Sequence, residues 1–247
     1  MYRNHYDSDI TTFSPSGRIH QIEYAMEAVK QGGAAVALKS KKFAILVSLK
    51  RSSSDLGSYQ KKVFQVDDHV GIAISGLTAD ARMLCNYMRN ECSNYDYVYE
   101  SKIRIERLVT KVADKHQLHT QGYGGRPYGV GLLVAGYDQL GAHIYQTCPS
   151  GNFYNYKSIS IGSRSQSAKT YLEKYFEQFE DCSLEQLIVH GLRALRETIP
   201  NSDTGLNSKN VAIGIVGENQ PFKIIEEENA QPYLNLLENE EPVEMQI

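Results

Sequence analysis

Apolar residues along the chain change their period, and each change marks an element. Ile19, Ile22, Met26 and Val29 are spaced three, four and three apart, which predicts one buried stripe of a helix over residues 19–31, stopped by Gly32-Gly33. Extended runs follow. Ala34–Leu38 and Phe43–Leu49 flank the polar turn Lys39–Lys42, and Val63–Val66 and Val70–Ser75 flank Asp67-Asp68-His69, so two hairpins are expected. The period then lengthens again. Ala81, Leu84, Cys85, Met88, Cys92 and Tyr95 share one helical face, and Ile105, Leu108, Val109, Val112 and His116 share another.

After the glycine-rich link Gly122–Gly125, strands are predicted at Val130–Tyr137, Ala142–Cys148, Phe153–Tyr156 and Ser158–Ile161. Helices are predicted over Ser165–Phe179 and Leu184–Ile199, the second opened by a capping box Ser183-x-x-Gln186 and followed by Pro200. Val211–Val216 and Phe222–Ile225 read as closing strands. Strands come in runs instead of alternating singly with helices, which argues against a doubly wound parallel sheet. Two antiparallel sheets, each with one face on the other and one face under helices, satisfy every apolar surface. The expected fold is α+β, a four-layer αββα sandwich with an extra N-terminal helix. Its organisation is a turn-rich segment at 1–18, the helix at 19–31, the sandwich at 32–225 and an acidic tail at 226–247.

Charge narrows the picture. The chain has 247 residues and a formal charge of −3, with 41% hydrophobic and 22% charged residues, an ordinary globular composition. Residues 226–247 hold seven Glu and no Lys or Arg, leaving 26 basic against 22 acidic side chains in the rest. That is no concentrated basic field, so no nucleic-acid partner is expected. The tail reads as a solvated end, with a short helix around Tyr233, Leu234, Leu236 and Leu237. No apolar run approaches the ~20 residues of a membrane span, and Met1–Asp7 lacks a signal peptide's apolar core. Cys85, Cys92, Cys148 and Cys182 form no CxxC pair, and reduced thiols in a soluble intracellular protein are expected.

Familiar catalytic signatures are missing: there is no Gly-x-Ser-x-Gly elbow, no HExxH and no phosphate loop. His116-x-x-His119 could place two ligands one turn apart, but no third ligand supports them, so surface histidines are the expectation and no metal or cofactor is assigned. Gly122-Tyr123-Gly124-Gly125 follows a helix and precedes a strand, the reverse of a dinucleotide loop, and reads as a linker. Asp67-Asp68 reads as turn chemistry.

The N-terminal segment is more specific. Tyr6-Asp7-Ser8-Asp9-Ile10-Thr11-Thr12-Phe13-Ser14-Pro15-Ser16-Gly17-Arg18-Ile19-His20-Gln21-Ile22-Glu23-Tyr24-Ala25 closely resembles the signature opening α-type subunits of the 20S proteasome. Ser75–Arg82, Arg126–Gly131 and Ile161–Ala168 also resemble that family, so the likeness spans residues 2 to about 225. It implies the fold of N-terminal-nucleophile hydrolases, here without catalytic residues. In the related β-type subunits a threonine at the mature N-terminus attacks with its own amine as base. The matching strand here opens Gly32-Gly33-Ala34-Ala35, and the supporting acidic position matches Leu49. A lysine persists nearby (Lys61 or Lys62).

The resemblance further implies a seven-membered α ring stacked on β-ring subunits, with the stripe Ile19, Ile22, Met26 and Val29 shared between the chain's own domain and a neighbouring α subunit. Tyr6, Asp7, Pro15 and Tyr24 match a cluster that holds the tails upright around an axial pore. Ser8 stands where many relatives carry arginine. Lys62, fourteen residues before Gly76, matches the lysine of an inter-subunit pocket that receives the C-terminal tails of regulatory activators. The alternative for Lys62 is a solvated lysine at a hairpin edge. Cytoplasm and nucleus are the compartments implied.

Overall fold

In the computed structural model, residues 9–51, 56–122, 124–200 and 205–239 are described. Two five-stranded antiparallel sheets form the centre. In the first, β1 (Ala35–Lys39) lies between β2 (Phe43–Leu49) and β8 (Ser158–Ile161), and β9 (Val211–Gly217) and β10 (Gln220–Glu226) continue beyond β2, giving the order β10-β9-β2-β1-β8. The second runs β3-β4-β5-β6-β7, from Val63–Asp67 and Val70–Gly76 through Val130–Asp138 and Gly141–Thr147 to Phe153–Asn155.

Alternation decides which side chains meet. Along β1, Ala35 and Ala37 face the second sheet, whereas Val36 and Leu38 face the helices. Small residues dominate the contact between sheets: Ala35, Ala37, Ala44, Ala73, Ala135 and Ala212, filled out by Leu46, Leu133, Ile144 and Phe222. Both faces of β1, β2, β4, β5 and β9 are therefore apolar, the reason these strands read as continuous hydrophobic runs.

Helices close the outer faces. On the second sheet lie α2 (Thr78–Tyr99) and α3 (Ile105–Gln121), whose Leu84, Met88, Leu108 and Val112 pack on Ile72, Ile74, Leu132 and Val134. On the first lie α4 (Ser165–Tyr175) and α5 (Leu184–Arg196), the latter placing Leu187, Leu192 and Leu195 over Val36, Leu38, Ile45 and Val47. A side chain on Gly191 of α5 would sit 2.7 Å from Val47, so glycine sets the close approach of helix to sheet. Helices therefore lie on both sides of two stacked sheets, the expected αββα order.

The helix before the sandwich, α1 (His20–Gln31), starts one residue later than the apolar stripe, with Ile19 as its N-cap. It rests on the ends of β4 and β5, where the Ser75 hydroxyl donates to the Val29 carbonyl at 2.8 Å. Boundaries differ elsewhere by local capping. The predicted helix to Phe179 stops at Tyr175, because Phe179 turns into the core as part of a separate turn of 3-10 helix at Phe179–Asp181. At Ser183, hydroxyl and Gln186 side chain bond reciprocally to each other's backbone N–H. Ser183→Ala is expected to cost about 1 kcal/mol in urea denaturation, the usual worth of an N-cap.

The acidic end differs more. After a short turn at Glu227–Ala230, α6 (Gln231–Asn239) packs on α5, with Leu234 and Leu237 buried in the core beneath it. The expectation of a solvated end does not hold for these residues. The expected short helix around Tyr233–Leu237 is present, and what the surrounding charge did not announce is that Leu234 and Leu237 are buried. No helix of the described residues is long and apolar enough to cross a membrane.

Candidate functional site

Three of the segments quoted for their likeness to one family, Ser75–Arg82, Arg126–Gly131 and Ile161–Ala168, meet at one end of the sandwich, where β1 begins and β2 ends. The arrangement is built on glycine. A side chain on Gly76, at φ +112°, would lie 2.2 Å from the Gly129 carbonyl, so only glycine fits there. From it the chain turns into α2, with Leu77 N–H donating to the Gly129 carbonyl at 2.9 Å. Gly32 abuts Gly76, and its carbonyl accepts from Ser163 N–H at 2.8 Å. Arg51 reaches the Ser163 hydroxyl at 2.8 Å.

Lys62 immediately precedes β3, beside the strand β4 that ends at Gly76, its carbonyl accepting from Ile74 N–H at 3.0 Å. Lys62 is 4% exposed and is not the solvated hairpin lysine of the alternative reading. A methyl placed on Gly33 would lie 3.0 Å from the Leu49 carbonyl and 3.4 Å from Lys62 Cε. Gly33, Leu49 and Lys62 therefore share one corner. Burial, with a smaller push from the Arg51 guanidinium, brings the Lys62 ammonium below its ordinary pKa. Among the described residues no carboxylate lies within ion-pair distance of it. The corner has a cation but neither a nucleophile at the head of β1 nor an acid at the end of β2.

The segment before α1 is ordered by its own turn. Ser14 N–H donates to the Arg18 carbonyl at 2.9 Å and Gly17 N–H to the Ser14 carbonyl at 2.8 Å, with exposed Pro15 inside the loop. Arg18 pairs with Glu23, and the His20 and Tyr24 rings lie 6.3 Å apart. Tyr24 is 50% exposed, on the side of α1 turned from the sandwich. Tyr6 and Asp7 lie outside the described residues. On the predicted stripe, Ile19, Ile22 and Val29 are half-buried, Val29 against Gly131, whereas Met26 is 40% exposed.

Sequence reasoning missed the clamp that joins two of the segments. Asp80, buried at the start of α2, takes a bidentate pair from Arg126 at 2.7 and 2.9 Å and the Gly129 N–H at 2.9 Å. Burial alone would raise its carboxyl; the Arg126 and Gly129 bonds outweigh it and hold the group below the usual carboxylate range. The clue available was a lone acid after the Ser75-Gly76 turn and a lone arginine before Pro127.

His116 corrects another expectation. It is fully buried, not a surface histidine, edge-on to Tyr128 with ring centroids 5.4 Å apart, and neither ring nitrogen has a hydrogen-bond partner among the described residues. Among the described residues no group of three His, Cys, Asp or Glu is placed to hold a metal.

The two-sheet sandwich with this converging end defines a class, and sequence comparison names it. Residues 29–216 match the family described as proteasome subunit, and residues 6–28 match the N-terminal signature of A-type proteasome subunits. The chain belongs to the proteasome subunit family, on its α-type branch, a component of protein-degrading machinery. It is 89% identical over 246 residues to the proteasome alpha type-1 subunit of Dictyostelium discoideum, covering 100% of this chain and 99% of that protein. The proteasome alpha type-1 subunit of Drosophila melanogaster is 51% identical, covering 95% of this chain and 85% of the relative. The probable proteasome alpha type-6 subunit of Schizosaccharomyces pombe is 48% identical over 98% and 89% of the two chains.

Proposed function

We propose that this chain is a non-catalytic member of the α ring of a 20S core particle, bordering the axial pore and offering a docking surface to regulatory activators in ubiquitin-dependent degradation. The observation that carries the reading is the corner at Gly33, Leu49 and Lys62. Peptide-bond hydrolysis by this fold needs a hydroxyl or thiol on the first residue of the mature chain, with its amine free to act as base. Gly33 offers no side chain, and α1 occupies the approach, its Val29 carbonyl bonded to Ser75. Leu49 can neither accept a proton nor orient an amine. A threonine-directed covalent probe should leave this chain unlabelled, and labelling would refute the reading.

What remains is a buried cation beside a surface that the single chain leaves incomplete. Lys62 would receive the carboxylate of an activator tail once a neighbouring α subunit supplies the other wall. Met26 and Tyr24 are half-exposed on α1; Met26 would meet a neighbouring α subunit, and Tyr24 would join Tyr6, Asp7 and Pro15 in the pore cluster. The β-ring subunits would pack beneath, and cytoplasm and nucleus are the proposed locations. No nucleic acid, membrane, metal or cofactor enters this scheme.

A hydrogen bond to a charged group is worth about 1.5–3 kcal/mol, so Lys62→Ala should weaken the binding of a carboxylate-ended activator peptide to assembled particles roughly tenfold or more. Fluorescence anisotropy measures this, with native mass spectrometry confirming that particles remain whole. Equal affinity removes Lys62 from the docking surface. A 28-kilodalton monomer as the only native species of this chain would remove the ring itself.

A further inference from the structure

The far end of the first sheet, away from Lys62, carries a second surface. Two concavities of about 340 Å³ each meet there and share Lys157 and Phe176. One follows the start of β8, over Ser158 and Ile159, to Leu172 on α4. The other lies between the β1–β2 turn and the β5–β6 turn, where Lys39 and Leu140 stand. Volumes of this size hold a few side chains of a bound segment.

The backbone of β8 is half used. It is the edge strand of its sheet, paired with β1 alone. Lys39 N–H donates to the Lys157 carbonyl at 3.1 Å, and Ile159 stands opposite Ala37. Antiparallel bonding alternates, so the intervening Ser158 directs its N–H and C=O away from β1 and into the groove. Leu140, 69% exposed, and Phe176, 41% exposed, give apolar walls.

Charge selects the occupant. Lys39 and Lys157 are cross-strand neighbours. Lys39 Nζ donates to the Ala142 carbonyl at 2.9 Å, and Lys157 Nζ lies 5.8 Å from the Phe176 ring centre. Lys41 nearby is matched by Asp181 at 2.8 Å and Glu180 at 4.0 Å. Lys39 and Lys157 have no carboxylate within 4 Å among the described residues. Lys169 and Glu173, one turn apart on α4, add one charge of each sign to the lining, so by count the Lys39–Lys157 pair is the excess charge of the groove. Partial burial, and to a smaller extent the neighbouring Lys157 charge, lower the affinity of Lys39 for its proton.

We propose that this groove docks an extended acidic peptide segment of another polypeptide. The segment bonds to the outward N–H and C=O of Ser158, the part of the β8 edge that α4 leaves uncovered, places a carboxylate between Lys39 and Lys157, and rests an apolar side chain on Phe176. The Ser158 backbone supplies a main-chain contact, and the lysine pair supplies the preference for acid. The surface is independent of the Lys62 reading and stands or falls separately.

The test uses the full chain and a fluorescein-labelled octapeptide alternating Glu with Val, with the Gln–Val peptide as control, followed by anisotropy. The acidic peptide should bind, more tightly at low salt, and the control should not. Lys157→Gln, at an exposed position, should weaken binding several-fold, and Lys39→Gln with Lys157→Gln should abolish it. Phe176→Gln provides a second variant that leaves both charges in place and should also weaken binding. Absence of binding, or binding unchanged in these variants, overturns the proposal. So does a rise in affinity when the chain is cut after residue 239, which would make its own acidic end the occupant. Self-association of the chain that disappears in Lys157→Gln would assign the groove to a second copy and overturn it equally.

Discussion

Replacing His116 with leucine is expected to flatten the acid side of the stability profile of this chain. Burial, then the neighbouring His119, lower the His116 imidazole to about pKa 4 from 6.5, against a smaller opposing pull from Asp80. The unfolded state therefore binds a proton that the folded state refuses. Its contribution is fully present above about pH 6.5 and is lost as pH falls toward 4, because there the unfolded chain is the better base. At 1.36 kcal/mol for each unit, the loss amounts to about 3 kcal/mol. Urea denaturation of the full chain across that range measures the slope.

In His116→Leu the slope should largely vanish, while stability at neutral pH stays level or rises. The imidazole is buried without hydrogen-bond partners among the described residues, so an apolar group of similar size removes an unmet polar demand. Asp80 supplies an internal control. Its folded carboxyl sits below the ordinary range, so its contribution is present above the unfolded carboxylate pKa and disappears only at still lower pH. The variant should keep that lower step. An unchanged slope between pH 6.5 and 4 would show that His116 is not the group responsible.

The second large effect is expected at the end of the chain. Leu234→Ala with Leu237→Ala should destabilise the fold by about 3–5 kcal/mol, although both residues lie among glutamates. Deleting one buried leucine costs roughly 2–5 kcal/mol through lost transfer energy and the cavity left behind. The pair need not cost their full sum, because α6 lies outside both sheets and can detach from α5 once its docking energy is gone. The measurable signature is twofold: a lower urea midpoint and fast proteolysis near Asn239, with the rest of the sandwich protected. Neutralising Glu228, which is exposed, should shift neither observable beyond about 0.5 kcal/mol. A double variant as stable as the parent would mean that α6 contributes nothing to the core.

Much of the architecture was legible because each signal was local. Phe43–Leu49 and Ser158–Ile161 coincide with their predicted runs, since polar turns bound them on both sides. Ser183 and Gln186 announce the start of α5 by spacing alone. The helix to Phe179 was overextended because a buried aromatic continues a helical stripe equally well whether the backbone stays helical or turns. The acidic tail misled because composition averages over a segment, whereas burial is decided residue by residue.

Family membership also lay in the sequence, in a twenty-residue signature before the sandwich begins. That run, and the missing nucleophile and acid at Gly33 and Leu49, are statements about residue identity and need no coordinates. Tertiary structure alone decided which distant positions meet. It put Lys62 beside Gly33 and Leu49, closed Asp80 on Arg126 across 46 residues of chain, enclosed His116 and set Lys39 against Lys157. Pattern reports which face of an element is apolar. It does not report which element will cover that face, because the pairing depends on the summed packing of both sheets, and from that packing come the altered proton affinities and the unpaired charges on which the functional proposals rest.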